Sequence, residues 1–499
     1  MLAFGIEFHQ LTKLSYQSVR ENIYQPDWNQ QPAPFRHFQP GPLFLLEPHP
    51  TAPLTSLSQT FTNLVQVETS PVAPFDLTTL SQIFKYSLSI REWREIPNSG
   101  LRYPLRVNPS CGNLHPEEVY IMLGAEMKGL YHYNLLEQCL EKRQSEDLRL
   151  LIAKATGYPE LANQTAIVVV TGIGCRQYWK YRNRGYRYLL QDIGHASGAL
   201  MLAAASLGFS VQCIANFPDQ TIKELLGLNF LPEEPFAIIS IGKNLTQWKY
   251  PSLKPEEIPP VHEFLGVHNN LGAEGFKFED IVKMNTESLL DIADLKPPLQ
   301  NKPITQDYSF PFIKLRFADV AWQRKSAQSF DTKKMLSQEE FNLIVETLKI
   351  PLAVDFLGSV FGGVPQSWLE YYCFVHQVEG MGPGVYQLVP ETSQWILLQE
   401  GNFSQECAQL HLEQTLLSSS AVTFSMVGNF QQSLDRFGER GYRLLNLEAG
   451  LRGQLLYLTT QALGLRSVAI GAFYDDELNQ FLSLAIPQKQ VIYSFTIGY

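Results

Sequence analysis

The chain has 499 residues, of which 45% are apolar and 18% charged, with a formal net charge of -10. A single hydrophobic core stops growing near about 250–300 residues, so this length calls for two domains, and the apolar share supplies a core for each. The acidic balance excludes a protein that grips nucleic acid through a broad basic surface, but leaves room for a local basic pocket that takes a phosphate.

The first residues, MLAFGIEFHQLTK, carry neither the basic stretch nor the apolar run of a secretory signal. No uncharged apolar run of about 18 residues follows, so no membrane span is expected. Cys111, Cys139, Cys175, Cys213, Cys373 and Cys407 are scattered, with no Cys-x-x-Cys. They read as buried free thiols in a reducing cytoplasm, not as a disulfide framework or a zinc site. Ten histidines without ligand spacing point to no metal.

The predicted elements then come in an order that repeats. A strand at Val119–Leu123 leads through a hairpin to a strand at Ala166–Val170. A long helix at about 187–207 is rich in Ala, Leu and Gly all round, which predicts burial on several sides. The loop Ile214-Ala215-Asn216-Phe217 and a strand at Phe236–Ile241 close the first half. Prolines 251, 255, 259, 260, 297, 298 and 303 mark a surface linker. The second half has a strand at Tyr371–Val375, a helix at about 443–463, the loop Ile470-Gly471-Ala472-Phe473 and a strand at Val491–Ile497. The copies share residues as well as elements. Arg-Gly-Tyr-Arg stands at 184–187 and again at 440–443. The step from 184 to 440 also carries, without a gap, Gly194 onto Gly450, Asp219 onto Asp475, Phe217 onto Phe473 and Ile241-Gly242 onto Ile497-Gly498. The expected architecture is α+β: two tandem domains, 1–244 and 310–499, each a mixed sheet with packed helices, joined by a linker at 245–309.

Four segments carry chemistry. They are Arg106-Val-Asn-Pro-Ser-Cys-Gly-Asn-Leu-His-Pro116, Trp179-Lys-Tyr-Arg-Asn-Arg-Gly-Tyr-Arg187, Gln323-Arg-Lys-Ser-Ala-Gln-Ser-Phe330 and His9-x-x-Thr12-Lys13. Together they resemble the nitroreductase superfamily and, within it, the SagB/ThcOx-type dehydrogenases, over about 1–243 and 310–499. The resemblance implies an FMN-binding fold that works as a dimer, with each flavin at the interface and touched by both subunits. In a tandem chain the two halves supply both sides, so a monomer with an internal pseudo-dimer suffices. Further oligomerisation stays open.

Such a site needs cations and small donors for the phosphate, a flat slot with donors at the ring edge, and room beside N5. The resemblance assigns Arg324, Lys325 and Ser326 to the phosphate, with Gln328 where the family often has a second basic residue. It assigns Ile470, Gly471 and Ala472 to the ring edge, where small residues let backbone N–H groups approach. Pro109, Ser110 and Gly112 form the loop that the other subunit contributes, and Arg106 beside it is a candidate contact for FMN or a substrate carboxylate. Lys180 and Tyr181 resemble a catalytic pair, in which an ammonium beside the phenol favours the phenolate and makes it a base. A second site would draw on Ser89, Arg91, Asn216 and Lys243. It would meet Arg436-Phe437 in place of Lys-Tyr, and a stretch at 355–368 without Pro-Ser-x-Gly. One competent composite site and one degenerate site are therefore expected.

The implied function is FMN-dependent oxidoreduction through flavin N5, with NAD(P)H as a candidate donor and a small molecule or peptide as substrate. Nitro- or quinone reduction competes with azoline oxidation, which is weakened because no separate peptide-binding domain is visible at the N-terminus. The alternative is a non-catalytic flavin-binding or scaffold protein on the same fold, motivated by Gln328, Asn216 and Phe437.

Overall fold

Alternating apolar residues build two sheets, one in each half of the chain. The computed structural model describes every residue except 1–2, 22–23, 66–74, 98–99, 230, 273–277, 300–309, 312, 359–366 and 390–393. The first sheet has seven strands in the order Leu43–Leu45, Cys139–Gln144, Gly129–Asn134, Glu117–Leu123, Ala166–Gly172, Glu234–Gly242 and Ser210–Ile214. The second has six, in the order Gln394–Glu400, Gly384–Val389, Leu369–Val375, Val422–Asn429, Lys489–Gly498 and Arg466–Ile470. Strand neighbours pair antiparallel throughout. Parallel pairing occurs only as single bridges among the described residues, Cys213 with Val354 and Ser326 with Ser467 at the sheet edges and Leu336 with Val378 past the end of Leu369–Val375.

Both faces of the inner strands are covered, and the period of two shows why. Val119, Ile121 and Leu123 face the central helices, whereas Tyr120 and Met122 face an outer layer with Ile152 and Leu225. In the second half Tyr371, Cys373 and Val375 face inward, and Tyr372 and Phe374 face Cys407 and Leu478.

The two long helices, Gly185–Ser206 and Arg440–Ala462, pack on each other at the centre of the molecule. Every residue of the first is buried. They cross at the repeat-equivalent glycines. A Cβ on Gly194 would lie 2.8 Å from the Gly450 Cα, and one on Gly450 would lie 2.1 Å from the Gln191 carbonyl oxygen. Only hydrogen fits there, because both obstructions are backbone. Gly450→Ala is expected to cost about 1–3 kcal/mol as overpacking. Thermal unfolding followed by circular dichroism checks this, with Gly382→Ala as the control, since a Cβ there would meet nothing nearer than the Tyr386 hydroxyl at 3.9 Å.

Charge locks the halves reciprocally. Arg184 and Arg187 of the first half both hold Asp475 at 2.7 Å. Arg440 and Arg443 of the second hold Asp219 at 2.6 and 2.8 Å. Between these locks Tyr186 and Tyr442 stack at 6.5 Å, and Phe8 meets both rings edge-on at 5.5 and 5.6 Å.

The stretch 245–309, read from its prolines as a surface linker, carries structure of its own. Val267–His268 pairs with Phe38–Gln39. A helix at Glu279–Glu287 packs against the N-terminal helix Phe4–Leu11 and buries Ile281 and Met284. The two helices do the same work for opposite halves. Arg187 donates to the His9 carbonyl and Arg443 to the Asn285 carbonyl, while Leu14 N–H donates to Asp475 and Leu290 N–H to Asp219. Residues 279–290 thus take for the second half the place that residues 4–14 take for the first. Among the described residues no helix is long and apolar enough to cross a membrane.

A buried ionic cluster stiffens the first sheet. His132 lies between Glu141 at 2.9 Å and Glu118 at 3.1 Å, and Arg176 holds Glu118 at 2.7 Å. Burial alone would lower the His132 pKa, but the hydrogen bonds to the two carboxylates win and raise it above 6.5. The stability this confers is full below 6.5 and is lost as pH rises through the elevated folded value. The melting temperature should fall as pH rises from 6.5, and His132→Gln should flatten that slope.

Candidate active site

A cavity of about 990 Å³ opens between a hairpin of the first half and an edge of the second. On the second-half side, the helix Phe317–Gln323 ends at Arg324, whose extended backbone stops it. The chain then runs beside the edge strand, with Ala327 N–H donating to the Ser467 carbonyl at 2.8 Å. This turn sends Arg324 inward and leaves Lys325, Ser326 and Gln328 on the cavity wall.

Arg324 is 5% exposed. Its Nε donates to the Val107 carbonyl of the first half at 2.9 Å, and its guanidinium lies 5.0 Å from the Tyr457 ring centre. Nη1 is buried and meets no acceptor among the described residues. Burial depresses its pKa to about 10, with Tyr457 opposing. The group stays charged at neutral pH, and a buried cation without a counter-ion is costly. Ser326 Oγ lies 3.1 Å from the Tyr457 hydroxyl.

On the first-half side, the hairpin Ile90–Glu95 and Arg102–Arg106 reaches over the cavity. Arg91 donates to the Arg324 carbonyl, and Arg94 pairs with Glu92 at 3.0 Å. Arg466, at the start of the second-half edge strand, adds a further exposed cation. Arg106 lines the same wall, but its Nη atoms are engaged by Glu117 at 3.4 Å and the Pro34 carbonyl at 3.2 Å.

The Pro109-Ser110 loop is pinned by the first central helix. Ser110 Oγ donates to Asp192 at 2.6 Å, Cys111 N–H donates to it at 2.9 Å, and Gln177 donates at 2.6 Å. Burial and then Glu117 push the Asp192 pKa well up against these donors. Gly112 sits at φ +62°, where an added Cβ would fall 2.4 Å from the Tyr181 hydroxyl. Conformation and space both demand glycine.

Lys180 and Tyr181 end the helix Cys175–Tyr181 next to this loop. The Lys180 Nζ is 5.2 Å from the Tyr181 ring centre, and that ring meets Tyr188 edge-on at 4.9 Å. Tyr188 in turn faces Gly471, where a Cβ would come within 2.5 Å of its ring. The Gly471 carbonyl accepts from Arg184 at 2.8 Å and the Ala472 carbonyl from Gln414 at 3.2 Å. Their N–H groups, at the end of the edge strand, meet no acceptor among the described residues.

The nitroreductase family pattern matches residues 73–243 and again residues 321–499, most of the chain in two copies. The chain belongs to the nitroreductase family. Among members of that family, a protein of Methanocaldococcus jannaschii named as a nitroreductase is 25% identical over 181 residues, which is 36% of this chain and 91% of that protein. The trifolitoxin-processing protein of Rhizobium leguminosarum bv. trifolii is 28% identical over 145 residues, 27% of this chain and 39% of that protein. A solved structure from Anabaena variabilis, described as a nitroreductase, superposes with a TM-score of 0.76 at 22% identity, covering 100% of this chain and 99% of that one. The tandem form of the nitroreductase fold is thus shared with a protein of similar extent.

Within this nitroreductase fold the expected site residues fall into two adjoining groups. Arg106, Pro109, Ser110, Arg324, Lys325, Ser326 and Gln328 line the cavity. Gly112, Lys180, Tyr181, Gly471 and Ala472 gather beside it around Tyr188, and Ile470 is buried under the edge. Two expectations are corrected. Arg91, read as part of a second site, lies in this first cavity, because the hairpin folds it across to Arg324. Ser89 is buried and donates to the Lys85 carbonyl at 2.8 Å. The Tyr181 phenol is not a ready base. Burial raises its pKa, Cys111, Tyr188 and Asp192 push the same way, and the Lys180 ammonium does not reverse the sign. Cys111 beside it is likewise pushed up to about 12, chiefly by burial. Sequence reasoning missed Arg94, Arg466 and Asp192. Arg91-x-x-Arg94 offered no signal for the first, because that spacing puts two residues of a regular strand on opposite faces and the strand is bulged between Ile90 and Glu92. The part of 355–368 spanning 359–366 lies outside the described residues.

Proposed function

We propose that the chain is an FMN-dependent oxidoreductase with one composite active site, built from both halves. The observation that carries this reading is Arg324, a buried guanidinium with one nitrogen unpaired, in the wall of a basic cavity. The residues present fit the group. A cavity of about 990 Å³ suits a cofactor together with a substrate. Arg324 and Ser326, helped by Lys325, Arg91 and Arg466, would hold the phosphate. The unengaged N–H groups of Gly471 and Ala472 would meet the ring edge. When bound, FMN supplies a site that accepts and returns a hydride at N5.

The chain's own residues do the rest. Asp192 holds the Pro109-Ser110 loop in place, so the wall is preorganised before anything binds. Tyr181 keeps its proton at neutral pH and acts as a hydrogen-bond donor toward the substrate, with the Lys180 ammonium 5.2 Å from its ring centre. NAD(P)H is the proposed electron donor. The substrate class is a small electrophile or a peptide, and the similarity to a trifolitoxin-processing protein supports keeping the peptide.

The test is the absorption spectrum of the purified protein, with flavin bands at about 375 and 450 nm, followed by quantitation of the flavin released on denaturation. One FMN per chain is expected, and a colourless protein that reconstitution with FMN leaves colourless overturns the reading. Tyr181→Phe should keep its flavin and lose about 10²–10⁴-fold in kcat for a proton-requiring acceptor. An unchanged kcat would remove Tyr181 from catalysis.

A further inference from the structure

The edge strand Ser210–Ile214 of the first sheet is the repeat-equivalent of Arg466–Ile470 in the second. Equivalent groups should therefore offer a second cofactor position, with Ala215 and Asn216 in the places of Gly471 and Ala472. Those places are not left open. Ala215 N–H donates to Asp355 Oδ1 at 2.9 Å, and Asn216 N–H donates to Asp355 Oδ2 at 3.1 Å. The loop that carries Asp355 comes from the other half and extends the sheet. Cys213 N–H donates to the Ala353 carbonyl at 2.8 Å, and Asp355 N–H donates to the Cys213 carbonyl at 3.1 Å.

A strap from the stretch between the halves closes over it. Asn216 Nδ2 donates to the Lys296 carbonyl at 2.9 Å, Leu299 N–H to the Asp355 carbonyl at 3.3 Å, and Arg436 to the Pro297 carbonyl at 3.4 Å. Phe437, in the place of Tyr181, meets Trp368 edge-on at 5.9 Å, and the Trp368 indole N–H donates to the Phe356 carbonyl at 2.9 Å. Val354, Asp355, Phe356 and Leu357 are no more than 2% exposed.

We propose that the second cofactor position is permanently occupied by the chain itself, with the Asp355 carboxylate as the resident ligand of the two N–H groups and residues 353–357 and 296–299 as its cover. This rests on the reading that Gly471 and Ala472 serve the bound flavin in the first site. The carboxylate satisfies two edge donors that would otherwise be buried without partners, which is why a site no longer filled by cofactor does not destabilise the fold. The same carboxylate joins the halves, since Asp355 belongs to the second and Ala215 to the first. Burial pushes its pKa up to about 6, opposed by the two N–H donors and then Arg440, so it is ionised at neutral pH.

Two measurements on the full chain test this. Titration of flavin-stripped protein with FMN should saturate at one equivalent, and Arg324→Ala should bind it at least about 10-fold more weakly. Uptake of a second equivalent by the wild type would overturn the proposal. Independently, hydrogen exchange of the amides at 210–217 should quicken ten-fold or more in Asp355→Ala, and less in Asp355→Asn, which keeps one acceptor oxygen. Unchanged exchange in both variants would refute Asp355 as the ligand. A chain that binds no FMN would defeat the functional reading alone, because the exchange experiment judges the plug without any flavin.

Discussion

Arg324→Ala is expected to abolish cofactor retention while leaving the empty protein as stable as the wild type, or more so. The two effects have opposite physical origins. In the empty protein Arg324 is a buried cation with one nitrogen unpaired, so its removal relieves a desolvation cost. In the loaded protein the same guanidinium provides charge-assisted hydrogen bonds to a phosphate, at about 1.5–3 kcal/mol for a charged partner. The dissociation constant for FMN should rise at least about 10–100-fold, since each 1.4 kcal/mol is a factor of ten. Thermal unfolding with and without FMN separates the two. At ligand concentrations about 100-fold above the dissociation constant the wild type should gain about 2.7 kcal/mol, and the variant only about 0.4–1.4 kcal/mol at the same concentration. Arg324→Lys should recover only part of the shift, because one ammonium cannot serve both the Val107 carbonyl and the phosphate. A variant that kept the full ligand-induced shift would displace Arg324 from the phosphate.

Asp475→Ala should be the most destabilising single substitution at the interface between the halves, at about 3–5 kcal/mol, because it leaves Arg184 and Arg187 buried without their partner. Asp219→Ala should match it through Arg440 and Arg443. Denaturant unfolding gives the magnitude. Adding Arg187→Ala to Asp475→Ala should restore part of the loss, since the double change removes a stranded charge. The pH dependence has a defined sign. Burial acts to raise the Asp475 pKa, but Arg184 and then Arg187 overcome it and hold the carboxyl below its ordinary 3.8. Its contribution is therefore complete above 3.8 and is lost as pH falls through the depressed folded value. Asp475→Asn should lack that limb of the acid transition. Arg184 also donates to the Gly471 carbonyl, so loosening Asp475 should weaken FMN binding as well.

The repeat was legible because its determinants are local and exact in spacing. Arg184 and Arg187 with Asp219, and Arg440 and Arg443 with Asp475, could be aligned from sequence. So could Gly194 with Gly450, whose contact across the helix crossing requires the absence of a side chain on both. The strands at Val119–Leu123, Ala166–Val170, Phe236–Ile241, Tyr371–Val375 and Val491–Ile497 all lie within strands of the structure, because alternating or continuous apolar runs of that length have few other uses. The basic-Ser segment at 324–326 and the Pro109-Ser110 loop were likewise readable, and they do line one cavity from opposite halves.

Other features depend on packing between residues far apart in the chain. Arg91 looked like the later basic residue of a second phosphate grip, two positions after Ser89, yet the hairpin brings it into the same cavity as Arg324. The helix at 279–287 shares almost no side chains with Phe4–Leu11. Its equivalence lies in backbone carbonyls, which any sequence supplies. Lys180 beside Tyr181 suggested a phenolate, but the sign of a pKa shift is set by burial, and burial comes from the whole fold. Asp355 gave no sign of its role, since a carboxylate becomes a ligand only when a distant strand presents two free N–H groups to it. Sequence by itself determined the duplication, the elements and the chemistry available at each segment, because these follow from spacing and side-chain type. Tertiary structure decided which cations share a cavity, which tyrosine keeps its proton and which strand edge stays open, because burial, charge pairing and hydrogen-bond satisfaction are sums over neighbours that only the folded chain brings together.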